Sequence, residues 1–514
     1  MLFNSIEFLF VFLPISMLVY YLSQRLVGAQ LAVASLVVCS LIFYAWWNPS
    51  FVLLIIASIF INFYIGKRLS SPSNGNKTLL VLGIALNLCT LIYYKYTNFL
   101  VDNMSAITGL AVEIPDIILP LAISFFTFQQ IAYLVDSYKG ITQEYRFTHY
   151  CLFVTFFPQL IAGPIVHHKE MLPQFMQAKA ASFQINNFMI GLSIFAIGLF
   201  KKTVLADNLA IYANETFNAA DANQQIEFVQ AWLGALCYTL QLYFDFSGYS
   251  DMAIGLARMF NIVLPLNFFS PYKSVSIVEF WRRWHITLSR FLRDYLYIPL
   301  GGNRAGTLKR YGNLFTTMII GGIWHGAGWN FMIWGFMHGL YLCVCHLWQA
   351  ITHTFPWLIM PRILSWFITM LAVIIAWVFF RATTLDGAFV MLNGMFGVNG
   401  IALPNGIMSR LGEIGTLLTH AGVTATNGGG SLMAKAIMFI FFGSVVVLAL
   451  PNIYQIFSKV EAALSNETSF KQAFWGHTYL SWQANRRWAI LCSLLLLTGL
   501  MTLGQISDFL YFQF

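Results

Sequence analysis

The stretch that decides the fold reads Gly321-Gly322-Ile323-Trp324-His325-Gly326-Ala327-Gly328-Trp329-Asn330 and continues to Trp334-Gly335-Phe336-Met337-His338-Gly339. It lies in an apolar segment, 313–348, with room for one long or two short membrane crossings. An ionisable group at such depth is costly and marks a site by default. Two readings of His325 fit the residues equally: an interhelical hydrogen bond, or proton transfer near neutral pH. His338 reads as a structural residue, or one that supports the working groups from behind. Gly322/Gly326 and Gly335/Gly339 have the small-xxx-small spacing that lets helices approach closely.

Outward from this stretch the rest of the chain is of the same character. Of 514 residues 58% are hydrophobic and 9% charged, against about 25% charged in soluble domains. The expectation is an all-α, polytopic membrane protein forming a single domain over 1–514, with its core at 117–380 and C-terminal spans and an aromatic tail at 433–514. Segments with the length and apolarity of a span lie at roughly 5–22, 29–46, 50–66, 78–95, 117–135, 184–203, 228–244, 313–348, 362–380, 433–451 and 488–506, about eleven crossings. The first of these lacks a basic leader and carries Glu7, so it reads as a retained span rather than a cleaved signal.

The net charge is +8. No compact basic tract accompanies it, so nucleic acid is not an expected partner. Basic residues instead collect on one side. Loops 23–28, 67–77 and 136–149 hold Arg25, Lys67, Arg68, Lys77, Lys139 and Arg146. Loops 47–49 and 95–116 hold only Lys95, beside Asp102, Glu113 and Asp116. That bias predicts an extracytoplasmic N-terminus. The seven cysteines are scattered through apolar stretches without a Cys-x-x-Cys pair, which supports neither a disulfide framework nor a metal site.

Three further stretches carry polar groups into the membrane. In 150–175, Pro158, Gly163 and Pro164 interrupt an apolar run, which predicts a re-entrant or interfacial segment, with His167 and His168 as a solvated pair at its end. Phe244-Asp245-Phe246-Ser247-Gly248-Tyr249-Ser250-Asp251 reads as the end of a span. Asp245 and Asp251 fit structural duties, a helix cap for Asp245, or a polar cavity. On a continuous helix over 277–294, Arg282, Arg283, Arg290 and Arg293 fall within an arc of about 100°, with His285 at its border. Lipid phosphates and a phosphate-bearing cosubstrate fit that basic face equally. The following Pro299-Leu300-Gly301-Gly302-Asn303-Arg304 lacks the ending of a P-loop.

Taken together, these motifs resemble the membrane-bound O-acyltransferase (MBOAT) superfamily, in particular its bacterial branch of alginate and peptidoglycan O-acetyltransferases. The D-alanyl transferases of teichoic acid synthesis are more distant relatives. The resemblance rests on Phe8 to Pro14, Ser124 to Gln129, Pro158 to Pro164, Phe244 to Asp251, Phe280 to Arg304, Trp324 to Gly339 and the tail Phe509 to Phe514. It implies a helical ring thinned at its centre by a tunnel. It implies that His325 is the catalytic base and His285 its partner, orienting the donor or stabilising the oxyanion. His338, Asp245 and Asp251 would support them.

The same resemblance makes acetyl-CoA the donor substrate, its phosphates held by Arg282, Arg283, Arg290 and Arg293, with no bound cofactor and no metal. It makes Tyr511 a candidate acyl carrier, although an aromatic tail also suits simple interfacial anchoring. The expected setting is the bacterial inner membrane. The chain carries no extracytoplasmic Ser-His-Asp domain, so a separate esterase-like acetyltransferase is an expected partner. A multi-span solute transporter is the competing class, with Asp245, Asp251 and His325 as intramembrane polar groups. Against it stands the lack of an internal repeat. The final polymer, alginate or peptidoglycan, is not decided by these motifs.

Overall fold

The computed structural model describes residues 1–70, 76–110, 114–115, 117–142, 146–176, 182–304, 306–464, 480–504 and 510. Its first third contains α1 (Leu13–Leu26, entered through a π-helical turn, Phe8–Phe12), α2 (Ala29–Ala45), α3 (Ser50–Leu69), α4 (Lys77–Thr108) and α5 (Ile123–Tyr138). A broken segment follows as α6 (Phe147–Thr155), α7 (Phe157–Leu160) and α8 (His168–Met176). Next come α9 (Ile185–Phe200), α10 (Asp207–Asp221) and α11 (Phe228–Met259), then two short helices, α12 (Ile277–Arg283) and α13 (Ile286–Leu292). The chain continues as α14 (Thr307–His325), α15 (Trp329–Thr354), α16 (Arg362–Arg381) and α17 (Leu385–Met395). Beyond a small parallel strand pair, Ala402–Pro404 with Thr424–Thr426, the long helices are Gly430–Ala449 and Arg486–Met501.

The protein is thus an all-α polytopic membrane protein. Seven helices among the described residues are long and apolar enough to cross a membrane, and each of the other predicted spans also carries a helix. Segment 313–348 resolves into α14 and α15, antiparallel neighbours joined at Gly326-Ala327-Gly328. Their contact uses the small residues. A Cβ on Gly335 would stand 2.5 Å from the Met318 carbonyl oxygen, and one on Gly322 would meet the Phe331 carbonyl oxygen. Helices α9 and α11 cross in the same way, Gly198 lying against Gly248 and Gly191 against Gly255.

Two apolar cores result. One joins the N-terminal helices to the end of α11 and includes Trp324; the other joins α10, the start of α11 and α15 to α17, and includes Trp334. His325 lies on the seam between them.

Four expectations need correction. Helix α4 is 32 residues long, about 48 Å at 1.5 Å per residue, so Lys95 and Asp102 belong to it and not to a loop. Asp245 caps nothing: α11 runs on to Met259. The helix passes through both aspartates because Lys201 pairs with Asp251 at 2.6 Å, and Lys202 pairs with Asp245 at 2.5 Å and Asp207 at 2.9 Å. His167 and His168 are buried rather than solvated. His167 Nδ1 meets the Tyr295 hydroxyl at 3.2 Å, and His168 Nε2 meets the Thr142 hydroxyl at 3.1 Å. Finally, 277–294 is not one helix; it breaks at His285.

Candidate active site

His325 is the last residue of α14. A helix end leaves carbonyl oxygens without partners, and α4 supplies them. The Lys95 ammonium donates to the Trp324 and His325 carbonyl oxygens at 2.6 and 3.0 Å, and the Tyr96 hydroxyl donates to that of Ile323 at 2.6 Å. A cation at a helix C-terminus also opposes the helix dipole favourably. The chain then leaves through Gly326, where a Cβ would collide with the Phe331 ring. The His325 imidazole is boxed by Trp324, Trp334 and Phe380 at ring distances of 5.0, 5.1 and 5.2 Å. Its Nδ1 has no hydrogen-bond partner among the described residues. The residue lines a cavity of about 100 Å³ together with Lys95, Trp47, Ser124 and Trp324.

His285 reaches the same place from another direction. It sits between α12 and α13 with φ +43°, a left-handed conformation costing an L-residue roughly 1–2 kcal/mol. Asn267 holds it there. The Asn267 carbonyl oxygen accepts from Ile286 N at 2.9 Å, and its side-chain Oδ1 accepts from the Thr287 hydroxyl at 2.9 Å and lies 3.0 Å from His285 Nδ1. The ring packs edge-on against Phe246 at 4.8 Å and lies 6.4 Å from Trp324. Trp324, stacked on Phe128 at 5.1 Å, is therefore the shared neighbour of both histidines.

A second cavity, of about 610 Å³, opens beside His285. Arg282, Arg290, Arg293, Thr287, Trp281 and His346 are among its lining residues. Arg290 is held by both oxygens of Glu170, at 2.6 and 2.8 Å, and Arg293 pairs with Asp294 at 2.8 Å. The break at His285 divides the predicted basic face. Arg283 turns inward, where it pairs with Glu279 at 2.7 Å, and does not line the cavity.

His338 lies behind the site, fully buried. Trp281 Nε1 donates to its Nδ1 at 3.3 Å, and Trp334 stands 4.8 Å from its ring. Asp245 and Asp251 bond to lysines rather than to a histidine; Phe246, between them in sequence, touches His285 instead. Tyr511 lies outside the described residues.

Sequence reasoning missed Lys95, Asn267, Glu170, Lys201 and Lys202. A lysine among Tyr93, Tyr94 and Tyr96, and a lysine pair ending an apolar run, were signals that could have been used. Asn267 carried none.

The fold and site define a polytopic membrane protein with two buried histidines that share Trp324 as a neighbour, one of them lining a small cavity and the other flanked by residues of a large arginine-lined one. Residues 125–385 match the family model of MBOAT, the membrane-bound O-acyltransferase family. The chain belongs to that family and is an acyltransferase. It is 47% identical over 431 residues to a peptidoglycan O-acetyltransferase of Helicobacter pylori, covering 78% of this chain and 81% of that one. It is 44% identical over 407 residues to a probable alginate O-acetylase of Pseudomonas aeruginosa, covering 77% and 75%. A teichoic acid D-alanyltransferase of Streptococcus thermophilus is 27% identical over 237 residues, covering 44% and 57%.

Proposed function

We propose that this acyltransferase passes acetyl groups from cytoplasmic acetyl-CoA to an extracytoplasmic acceptor, for O-acetylation of a cell-surface polysaccharide, alginate or peptidoglycan. The observation that carries this reading is the position of His325. It borders the small cavity and touches Trp324, which also neighbours His285, and residues flanking His285 line the arginine-lined cavity. The names of the relatives above supply the acetyl group and the polymer class.

In the reaction, His325 takes the proton of an acceptor hydroxyl, and the oxygen attacks the thioester carbonyl carbon. The C–O bond forms, the C–S bond breaks, and the proton on His325 passes to the departing thiolate as CoA-SH. His285 orients the donor. Arg282, Arg290 and Arg293 suit the phosphates of CoA. The proposed setting is the bacterial inner membrane with the N-terminus outside. The charge bias behind that orientation strengthens once Lys95 is placed within α4. Tyr511 serves as the acyl carrier on the outer side, and a separate esterase-like acetyltransferase completes delivery to the polymer.

Purified protein given labelled acetyl-CoA and an acceptor is expected to release free CoA, and His325→Ala, at normal expression, to abolish that release. Retained activity in His325→Ala would sink the assignment. Solute flux without CoA release would favour a transporter.

A further inference from the structure

Lys95 stands out among the groups this reaction does not use. Its side chain is half-buried on α4, and among the described residues its polar partners are two carbonyl oxygens and no carboxylate. By contrast, Lys201 and Lys202 are paired with aspartates, and Lys273, which also donates to a carbonyl oxygen, that of Leu450, lies away from the histidines. Burying a charge without a counter-ion is costly, and a neutral donor could cap a helix end. The two acceptors are the carbonyls of Trp324 and His325. Trp324 lies between the two histidines, 5.9 Å beneath the ammonium, and both His325 and Lys95 line the same cavity. Among the described residues, the His325 Nδ1 has no hydrogen-bond partner. The backbone tether from α4 and the surrounding aromatic rings are what hold the imidazole.

We propose that Lys95 is a positioning residue of the transfer reaction. Its hydrogen-bonded tether to the Trp324 and His325 carbonyls helps hold the His325 imidazole at the small cavity and the Trp324 indole near His285. The inference rests on the reading of His325 as the base. It assigns Lys95 an effect on turnover and not on donor capture, because the arginine-lined cavity shares no residue with the one that Lys95 lines.

The test compares wild type, Lys95→Met, Lys95→Arg and His325→Ala, each purified as the full chain, for CoA release and for binding of acetyl-CoA. Lys95→Met is expected to lose about 100-fold in kcat, the scale of a displaced catalytic group, with KM for acetyl-CoA and direct donor binding within about twofold of wild type. Lys95→Arg, which keeps charge and donors, is expected to recover at least about tenfold of that loss. Turnover of Lys95→Met near wild type overturns the proposal. So does a loss of donor binding that parallels the loss of turnover, since that is the mark of a collapsed fold. So does a Lys95→Arg variant no better than Lys95→Met. If wild type and His325→Ala turn over alike, or neither does, the reading of His325 fails and this inference with it; if His325→Ala alone is inactive, the failure is confined to Lys95.

Discussion

Asn267 and His285 are joined through Oδ1 and Nδ1 at 3.0 Å, and this pairing selects the tautomer. Oδ1 also accepts from the Thr287 hydroxyl, while the Asn267 amide nitrogen donates to Ser250 at 3.2 Å. The network therefore assigns the proton of neutral His285 to Nδ1, leaving Nε2 as the basic nitrogen. A basic Nε2 orients a donor; it does not donate to an oxyanion.

Replacing Asn267 with Ala unpairs two buried groups at once. Activity is expected to fall roughly 10- to 100-fold, the scale seen when a partner that orients a functional histidine is removed. Stability should fall by about 1–3 kcal/mol. Steady-state CoA release and thermal unfolding in detergent measure the two effects separately, and an active variant of normal stability would remove Asn267 from the account.

Arg282 lines the large cavity, and among the described residues no acidic partner is assigned to it. Arg282→Met is expected to raise KM for acetyl-CoA by about tenfold with kcat nearly unchanged, the pattern of lost uniform binding. The increase should shrink at high salt, where charge attraction is screened. Equal KM values for variant and wild type would place the CoA phosphates elsewhere.

Lys202 pairs with both Asp207 and Asp245 inside the helical core. Lys202→Met leaves both carboxylates buried without their cation and should cost about 3–5 kcal/mol. Folded yield by size exclusion is the measure. Adding Asp245→Asn to the variant should restore part of that yield, because one of the uncompensated charges is removed.

Tyr511→Phe removes one hydroxyl from the aromatic tail. If that hydroxyl carries the acetyl group, intact mass spectrometry of wild type turning over acetyl-CoA should detect a single added acetyl that the variant lacks, and delivery to the polymer should stop. Undiminished delivery by the variant would leave the tail as an interfacial anchor.

The membrane class, the presence of a helix at each predicted span and the cost of burying His325 were all readable from one dimension. Burial of long apolar runs and the cost of an intramembrane histidine are local properties of sequence. Close helix approach at Gly322 and Gly335 was readable from small-residue spacing, but that α14 and α15 approach each other there was not. A helical wheel failed at 277–294 because it assumes a continuous helix. The left-handed turn at His285 is held by Asn267, eighteen residues away, and it places Arg282 and Arg283 on a different helix from Arg290.

The charges that complete the centre were decided only in three dimensions. Asp245 and Asp251 had no visible partner until α9 crossed α11 and brought Lys201 and Lys202 beside them. Lys95 and His325, 230 positions apart, meet because the long α4 passes the open end of α14. Sequence by itself determined which segments must leave water and which residue would be expensive there. Tertiary structure decided how each buried charge is compensated, since the groups that satisfy it are brought together by helix crossing and not by proximity along the chain.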